Sequence, residues 1–330
     1  MKKFLLKAGI ATAILALLLV FYNCLYVNTD YYKNLNDMGK FRDVPEHIDV
    51  VNFGASHSEG AFDWSAYTTF QGVNMALGAQ TIVGDEALFD YYSDRLDDNS
   101  VVILELMFKS LYEEEPDETP MPTSVTRYYQ LLPRKYMIHW NFADALRYQY
   151  LPVLGNRQNA PGAILEEWNG TEDAEQLSSE PETLSGTPTR ILTGWSKEEM
   201  EKEGARRASV FMELSGEQEH GAQYEALTGI IEKCQANNIQ VILVTVPTLP
   251  CFYESFSEAF LSRFYADVAE ICEKYDLPYF DYTGDERFLT DYRWYRDTDH
   301  LNRYGAKIFT EQFLKDHADL LNLDIRQEQE

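Results

Sequence analysis

Cysteine is scarce in this chain, and its few positions form no pattern. Cys24, Cys234, Cys251 and Cys272 are the four cysteines among 330 residues. No two of them make a CxxC pair, which excludes zinc ribbons and dithiol redox motifs. Cys24 lies inside the first apolar segment, which leaves an odd number elsewhere, so no disulfide framework is expected. Cys234 and Cys272 fall at apolar positions of predicted helices, where a free thiol acts as a small hydrophobe. Histidine is sparse as well, with six in the chain, and no pair has metal-directed spacing. Neither a metal nor another cofactor is therefore expected. There is no glycine-rich phosphate loop and no internal repeat. Basic residues are few: 28 Lys and Arg stand against 54 Asp and Glu, for a net charge of −26. A surface of that sign repels phosphate backbones and excludes nucleic acid as a partner. Acidity of this kind favours solubility and names no substrate.

The charge is unevenly spread. Lys2, Lys3 and Lys7 are the only charged residues before Asp30. An uncharged run follows from Ala8 to Val27, close to the ~20 residues that span a bilayer. Positive charge on the short N-terminal side holds that end in the cytoplasm and sends the rest outward. A cleaved signal peptide needs small residues after its apolar core. Here the run closes with Phe21-Tyr22-Asn23-Cys24-Leu25-Tyr26, and Asn23 also departs from a lipoprotein site. The expected layout is a cytoplasmic tip and transmembrane signal anchor at 1–27, then a stalk at 28–46. An extracytoplasmic domain follows at 47–330, on a single-pass protein of the plasma membrane. The lipid bilayer is then a partner through the N-terminal helix.

Hydrophobic residues make up 45% of the chain and aromatics 14%, enough for one large packed α/β domain. Ile48 to Gly54 reads as a strand stopped by glycine, and 72–77 as a second strand closed by Gly78. Leu88, Tyr91, Tyr92 and Leu96 recur at helical spacing, with Asp85 and Glu86 in the expected first turn. Residues 100–106 and 239–247 are apolar runs suited to strands buried on both faces. A short strand is expected at 278–282, and helices at about 224–237, 260–271 and 303–316. Between about 110 and 205 the pattern loosens into an insertion, with an acidic loop at 166–188. Alternating strands and helices predict a mostly parallel, flavodoxin-like sheet in a three-layer αβα sandwich. Ligands of such sheets bind at the carboxyl ends of the strands.

Two segments place reactive side chains at those ends. Gly54-Ala55-Ser56-His57-Ser58-Glu59-Gly60 directly follows the first strand, and its small residues let the chain turn and present the Ser56 hydroxyl. A hydroxyl is a weak nucleophile until a base takes its proton. Asp297-Thr298-Asp299-His300-Leu301-Asn302, on the loop before the last helix, supplies one. Asp297 can accept the Nδ1 proton of His300 and leave Nε2 facing Ser56. Asn302 is placed to cap the helix. A serine in a glycine-rich turn or a lone Asp-x-x-His means little alone; both at the same edge of one sheet point to a catalytic site. His57 is a second base or a substrate contact, or else a packed or exposed loop histidine. Asp299 is expected at the surface, unless the register slips and it stands in place of Asp297; the acidic clusters at 113–115 and 166–167 are expected at the surface too.

The Gly-x-Ser-His-Ser and Asp-x-x-His-Leu-Asn-x-x-Gly segments resemble those of the SGNH/GDSL hydrolase superfamily. The layout is similar to its membrane-anchored, extracytoplasmic branch of surface O-acyltransferases and esterases, which includes the lipoteichoic-acid D-alanylation protein. Residues 48–106 and 220–320 carry the resemblance. It implies Ser56 as nucleophile, His300 as base and Asp297 as orienter. Oxyanion donors would come from Ser56 and Gly78, with Ala79 the alternative if the alignment slips by one. The implied partners are an acylated glycan or cell-wall polymer and a membrane acyl-transfer protein. Ala55 replaces the Asp of the Gly-Asp-Ser form. The Gly-x-Asn-Asp block after the third strand is missing: the chain reads Leu104-Glu105-Leu106-Met107-Phe108-Lys109-Ser110 there. Asn74 is a weaker candidate for the absent donor, whose loss costs ~3 kcal/mol. A non-catalytic partner in a surface-polymer complex, with a relic triad, is the alternative function.

Overall fold

Five strands build one sheet: β1 (Val50–Phe53), β2 (Gly72–Asn74), β3 (Val101–Glu105), β4 (Gln240–Thr245) and β5 (Tyr279–Asp281). Their order is β2-β1-β3-β4-β5, and each pair of neighbours runs parallel. This computed structural model describes residues 1–114, 123–169, 195–215, 221–289, 292–321 and 323. Most of the expected acidic loop at 166–188 lies outside the described residues. The chain divides into two compact units, Met1–Arg42 with Met121–Glu182, and Asp43–Pro120 with Thr183–Glu330.

The sheet belongs to the larger unit. β1 and β3 are buried throughout, and β4 is buried beyond its first residue. That burial explains their unbroken Val/Ile/Leu runs. The edge strands β2 and β5 are short and partly exposed. β2 is shorter than the expected 72–77, yet Met75 and Leu77 still donate to the carbonyls of Asn52 and Gly54. From β1 the chain adds β2 on one side and β3 on the other. A crevice therefore opens between the carboxyl ends of β1 and β3, the switch point where such sheets bind ligands.

Helices cover both faces. They are α2 (Ser56–Ala61), α3 (Ile82–Tyr92), α4 (Lys197–Glu213), α5 (Ala222–Ala236), α6 (Glu258–Tyr275) and α7 (Arg303–Asp316), with α1 (Lys2–Val27) in the other unit. α3 packs on α5, and α2 on α7. Side-chain caps fix several starts. Ser196 and Glu199 form a capping box on α4, Ser257 caps α6 and Asn302 caps α7. α3 begins at Ile82, because Thr81 accepts the Gly84 N–H and starts the helix there, and Asp85 falls in its first turn as expected. Asp85 is buried as a result. Phe108 packs edge-on against Phe256 and Phe264, while Phe62 meets Phe309 and Phe313. Burying each ring is worth about 1.5–3 kcal/mol.

The smaller unit is organised around α1, 26 residues long. This helix is long and apolar enough to cross a membrane; a signal sequence near an N-terminus meets the same criterion. Its Leu5, Leu6, Ile10, Leu15 and Leu18 are exposed, as a span facing lipid requires. At its carboxyl end Tyr26 is buried in a cluster with Val153, Ala160 and Ala163. Asn23 Oδ1 accepts the Val153 N–H at 3.1 Å. Within 28–46, expected as a stalk, a short helix Asp30–Asn34 and a 3-10 turn Leu35–Phe41 form.

Candidate active site

The site starts with the turn out of β1. Gly54 has φ +132°, and a Cβ there would lie 2.6 Å from Glu105 Oε2 and 2.9 Å from Ser58 Cβ. Only glycine has both the conformation and the room. Acidic side chains brace this turn from below. Asp85 Oδ1 accepts the Gly54 N–H at 3.0 Å, and Glu105 Oε2 accepts the Ala55 N–H at 3.3 Å. Gln80 Nε2 joins them, donating to Asp85 Oδ1 at 2.5 Å and to the Gly54 carbonyl at 3.3 Å. Ser56 is thereby set as the first residue of α2.

The second segment is pinned just as firmly. Asn302 Oδ1 accepts the N–H groups of Tyr304 and Gly305, while its Nδ2 donates to the Arg293 and Tyr295 carbonyls. Leu249 N–H, on the chain after β4, donates to the Thr298 carbonyl at 3.0 Å. Held this way, His300 Nε2 stands 2.8 Å from Ser56 Oγ, and His300 Nδ1 2.8 Å from Asp297 Oδ1. The same Asp297 oxygen accepts the His300 and Asp299 backbone N–H groups. Burial works to raise the Asp297 pKa, but the hydrogen bond and charge of His300 outweigh it and hold the carboxyl below its usual range. An ionised Asp297 can only accept. Nδ1 therefore carries the proton, and Nε2 turns a lone pair toward the serine hydroxyl.

Ser56, His300 and Asp297 are thus brought together, 244 residues of sequence separating the first two. Asn74 is directed elsewhere. Its Nδ2 donates to the carbonyls of Glu59 and Phe62, and its Oδ1 accepts from Asn52 Nδ2 and Ala76 N–H. Gly78 sits in the turn after β2, beside Ala79. Ala79 takes φ +53° and lines the same cavity as Ser56.

A second His–Asp pair lies against the first. His57 Nε2 is 3.0 Å from Asp299 Oδ2, and Arg207 of α4 donates to both Asp299 oxygens, at 2.6 Å from Nη2 and 3.1 Å from Nε. Asp299, expected at the surface, is fully buried; the Arg207 charge and the His57 hydrogen bond permit it. Burial favours protonation of Asp299, yet the charge of His300 and the bonds from His57 and Arg207 hold its pKa well below the usual value. His57 is buried too. Burial first, and then the neighbouring His300, push its pKa down to about 4. The ligand atoms of His57, Asp299 and His300 lie within 4.8 Å of one another, but the guanidinium on Asp299 opposes a cation there.

The crevice between β1 and β3 holds a cavity of about 220 Å³, walled by Ser56, Ala79, Glu105, Lys109, Arg207 and Phe211 among others. Glu105 ends β3, is buried, and has one carboxyl oxygen, Oε1, without a hydrogen-bond partner among the described residues. Burial, reinforced by Asp85 against the Ala55 N–H and Lys109, raises its pKa to about 8. Lys109 pairs with Glu113, and its Nζ lies 5.5 Å from the Phe211 ring centroid.

Sequence reasoning missed Arg207, Glu105 and Asp85. Arg207 left no signal, since it lies just past the stretch read as an insertion, in no expected element, and 92 residues from its partner. Glu105 did leave one: it is the sole charge in the apolar run Ser100–Leu106 and stands at a strand's carboxyl end. Asp85 was taken for a helix-dipole residue.

No protein-family model and no curated protein matches this chain. A solved structure from Bacteroides fragilis, named a "putative acylhydrolase", is similar with a TM-score of 0.39 and 12% identity, covering 90% of this chain and 98% of that one. At that level the chemistry has to be argued from the side chains themselves.

Proposed function

We propose that this chain is a serine acyl-transfer enzyme of the SGNH kind, an esterase or O-acyltransferase. The carrying observation is the relay from Ser56 Oγ through His300 to Asp297, with both contacts at 2.8 Å. In the first half-reaction Ser56 Oγ bonds to the carbonyl carbon of an ester, and its proton moves to His300 Nε2. The oxyanion draws on the Ser56 N–H and on the turn at Gly78 and Ala79. As the C–O bond to the leaving alcohol breaks, that oxygen takes the proton back from His300, leaving acyl-Ser56. Water or an acceptor hydroxyl then gives its proton to His300 and attacks the acyl carbon; as the bond to Ser56 Oγ breaks, that oxygen takes the proton from His300 and the hydroxyl is restored. The two fates share one intermediate.

The substrate reading rests on location. A span at 2–27 with lysines on its short side supports a catalytic unit facing outward from the plasma membrane. Acylated glycans or cell-wall polymers are the esters within reach there, and a membrane acyl-transfer protein is the fitting donor for the transferase form. The SGNH resemblance supports the same class.

The test is fluorophosphonate labelling of the full chain in detergent, beside Ser56→Ala and His300→Ala. Labelling that requires both residues supports the reading and opens a screen of acylated glycans. A folded wild type that stays unlabelled turns the assignment to a non-catalytic partner of a surface-polymer complex.

A further inference from the structure

Resting on the acyl-serine reading, we propose that Glu105 is held as the neutral acid and donates its Oε1 hydrogen bond to the carbonyl oxygen of the acyl group that Ser56 attacks. It would supply the donor that the absent asparagine leaves missing.

Several observations converge on this residue. Glu105 sits at the carboxyl end of β3, on the switch-point crevice, and lines the same cavity as Ser56. Only 2% of it is exposed. Its two oxygens differ in kind. Oε2 accepts the Ala55 N–H at 3.3 Å, which fixes the carboxyl against the nucleophile turn. Oε1 is buried and has no hydrogen-bond partner among the described residues. An ionised carboxylate there would leave a charged acceptor unsatisfied, which buried sites strongly disfavour. A protonated carboxyl instead directs one donor from Oε1, and a substrate oxygen can accept it.

The charges around Glu105 agree with the neutral form. Asp85, on α3, disfavours a second negative charge beside it. Lys109 would favour one, but Lys109 is taken up by Glu113. Arg207, the other cation on the cavity wall, is bound by Asp299. No free cation therefore meets Glu105 among the described residues lining the cavity. Its raised pKa, near 8, follows from the same surroundings.

The step consumes nothing. As the carbonyl oxygen gains charge in the tetrahedral intermediate, the Glu105 hydrogen bond shortens and strengthens. The proton stays on Oε1, and the bond relaxes when the carbonyl reforms. A neutral carboxyl is therefore a catalytic group here, while its Oε2 keeps the turn in place.

The experiment follows Ser56 phosphonylation by a fluorophosphonate across pH, using the full chain in detergent with Glu105→Gln and Glu105→Leu. The wild-type rate is expected to fall as pH climbs through about 8, where Glu105 loses its proton. Glu105→Gln keeps a donor that cannot ionise, so the rate it retains should no longer show that alkaline fall. Glu105→Leu should react roughly 100-fold to 1,000-fold more slowly. A Glu105→Leu variant that labels as fast as wild type overturns the proposal, as does an unchanged alkaline fall in Glu105→Gln. Should Glu105→Leu not fold, the glutamine variant alone decides. Infrared spectroscopy adds a readout that needs no turnover. The carbonyl band of a neutral acid, present at neutral pH and lost in Glu105→Gln, is expected, and its absence overturns the proposal. An inert wild-type Ser56 would instead sink the acyl-serine reading itself, a result distinct from any of these.

Discussion

The imidazole rings of His57 and His300 stack with centroids 4.1 Å apart and planes 12° from parallel. Each ring has its own aspartate, Asp299 for His57 and Asp297 for His300. The second pair bears on the first. In the proposed acyl transfer His300 would become a cation, and a charged neighbour at that distance would oppose it. His57 is kept neutral, so it can pack against the base without repelling the imidazolium. That makes it a positioning residue for His300.

A pH signature follows. Unfolded, His57 takes a proton near 6.5; folded, it does so only at about 4. Between those values the unfolded chain binds more protons, so the His57 contribution is intact above 6.5 and is lost as pH falls toward 4. At about 1.4 kcal/mol per unit, the loss is on the order of 3 kcal/mol. Thermal unfolding of wild type should weaken through that window. His57→Gln, which keeps a donor for Asp299 but cannot titrate, should show a flatter curve. Parallel curves for the two proteins would remove His57 as the cause.

Arg207 neutralises a carboxylate that has no contact with water: Asp299 is 0% exposed, and the arginine 27%. Removing one partner of such a pair leaves a buried charge and costs about 3–5 kcal/mol. Arg207→Met is expected to lower the melting temperature markedly, and Asp299→Asn in that background should recover part of the loss. Non-additivity in the double-mutant cycle is the measurement. Additive effects would mean that the two side chains do not depend on each other.

Gly54→Ala probes the nucleophile turn. The new methyl meets Glu105 at 2.6 Å and sits on a backbone at φ +132°. The conformational strain alone is about 1–3 kcal/mol, and the clash adds to it. Fluorophosphonate labelling of Ser56 should be lost or strongly slowed. Glu105→Ala, introduced as a second change, removes the Oε2 contact but leaves the Glu105 Cβ at 2.8 Å, the Ser58 Cβ at 2.9 Å and the strain, so it should restore little of the stability. Full activity in Gly54→Ala would show that the turn tolerates a side chain.

Much of this architecture was legible in the residues. Apolar runs at 100–106 and 239–247 announced central strands, because burial on both faces leaves no polar position to break the run. Gly54 and Asn302 marked the ends where chain direction changes, since each does a job few residues can do. What stayed hidden was long-range pairing. Nothing near Asp299 tells that an arginine on a distant helix will neutralise it, so an aspartate in an acidic chain reads as surface. The difference between Asp85 as a helix-dipole residue and Asp85 as a bracket for Gly54 also lies in tertiary packing. Glu105 was the exception, a charge inside a buried strand.

Two aspartates flank His300 Nδ1, and their distances assign different work to each. Asp297 Oδ1 is at 2.8 Å, a hydrogen bond; Asp299 Oδ2 is at 3.7 Å, beyond one. Asp297→Asn should keep the loop's shape but can present an amide N–H to Nδ1, which favours the wrong tautomer. The phosphonylation rate should then fall by roughly 1,000-fold to 10,000-fold, with little change in melting temperature. Asp299→Asn should do the reverse. It leaves Arg207 without its carboxylate and so lowers stability, while His300 keeps its orienter and the rate drops far less. Measured side by side, the two variants separate orientation of the base from support of the loop. If Asp299→Asn proved the more damaging to rate in a protein that still melts cooperatively, the orienting role would pass from Asp297 to Asp299.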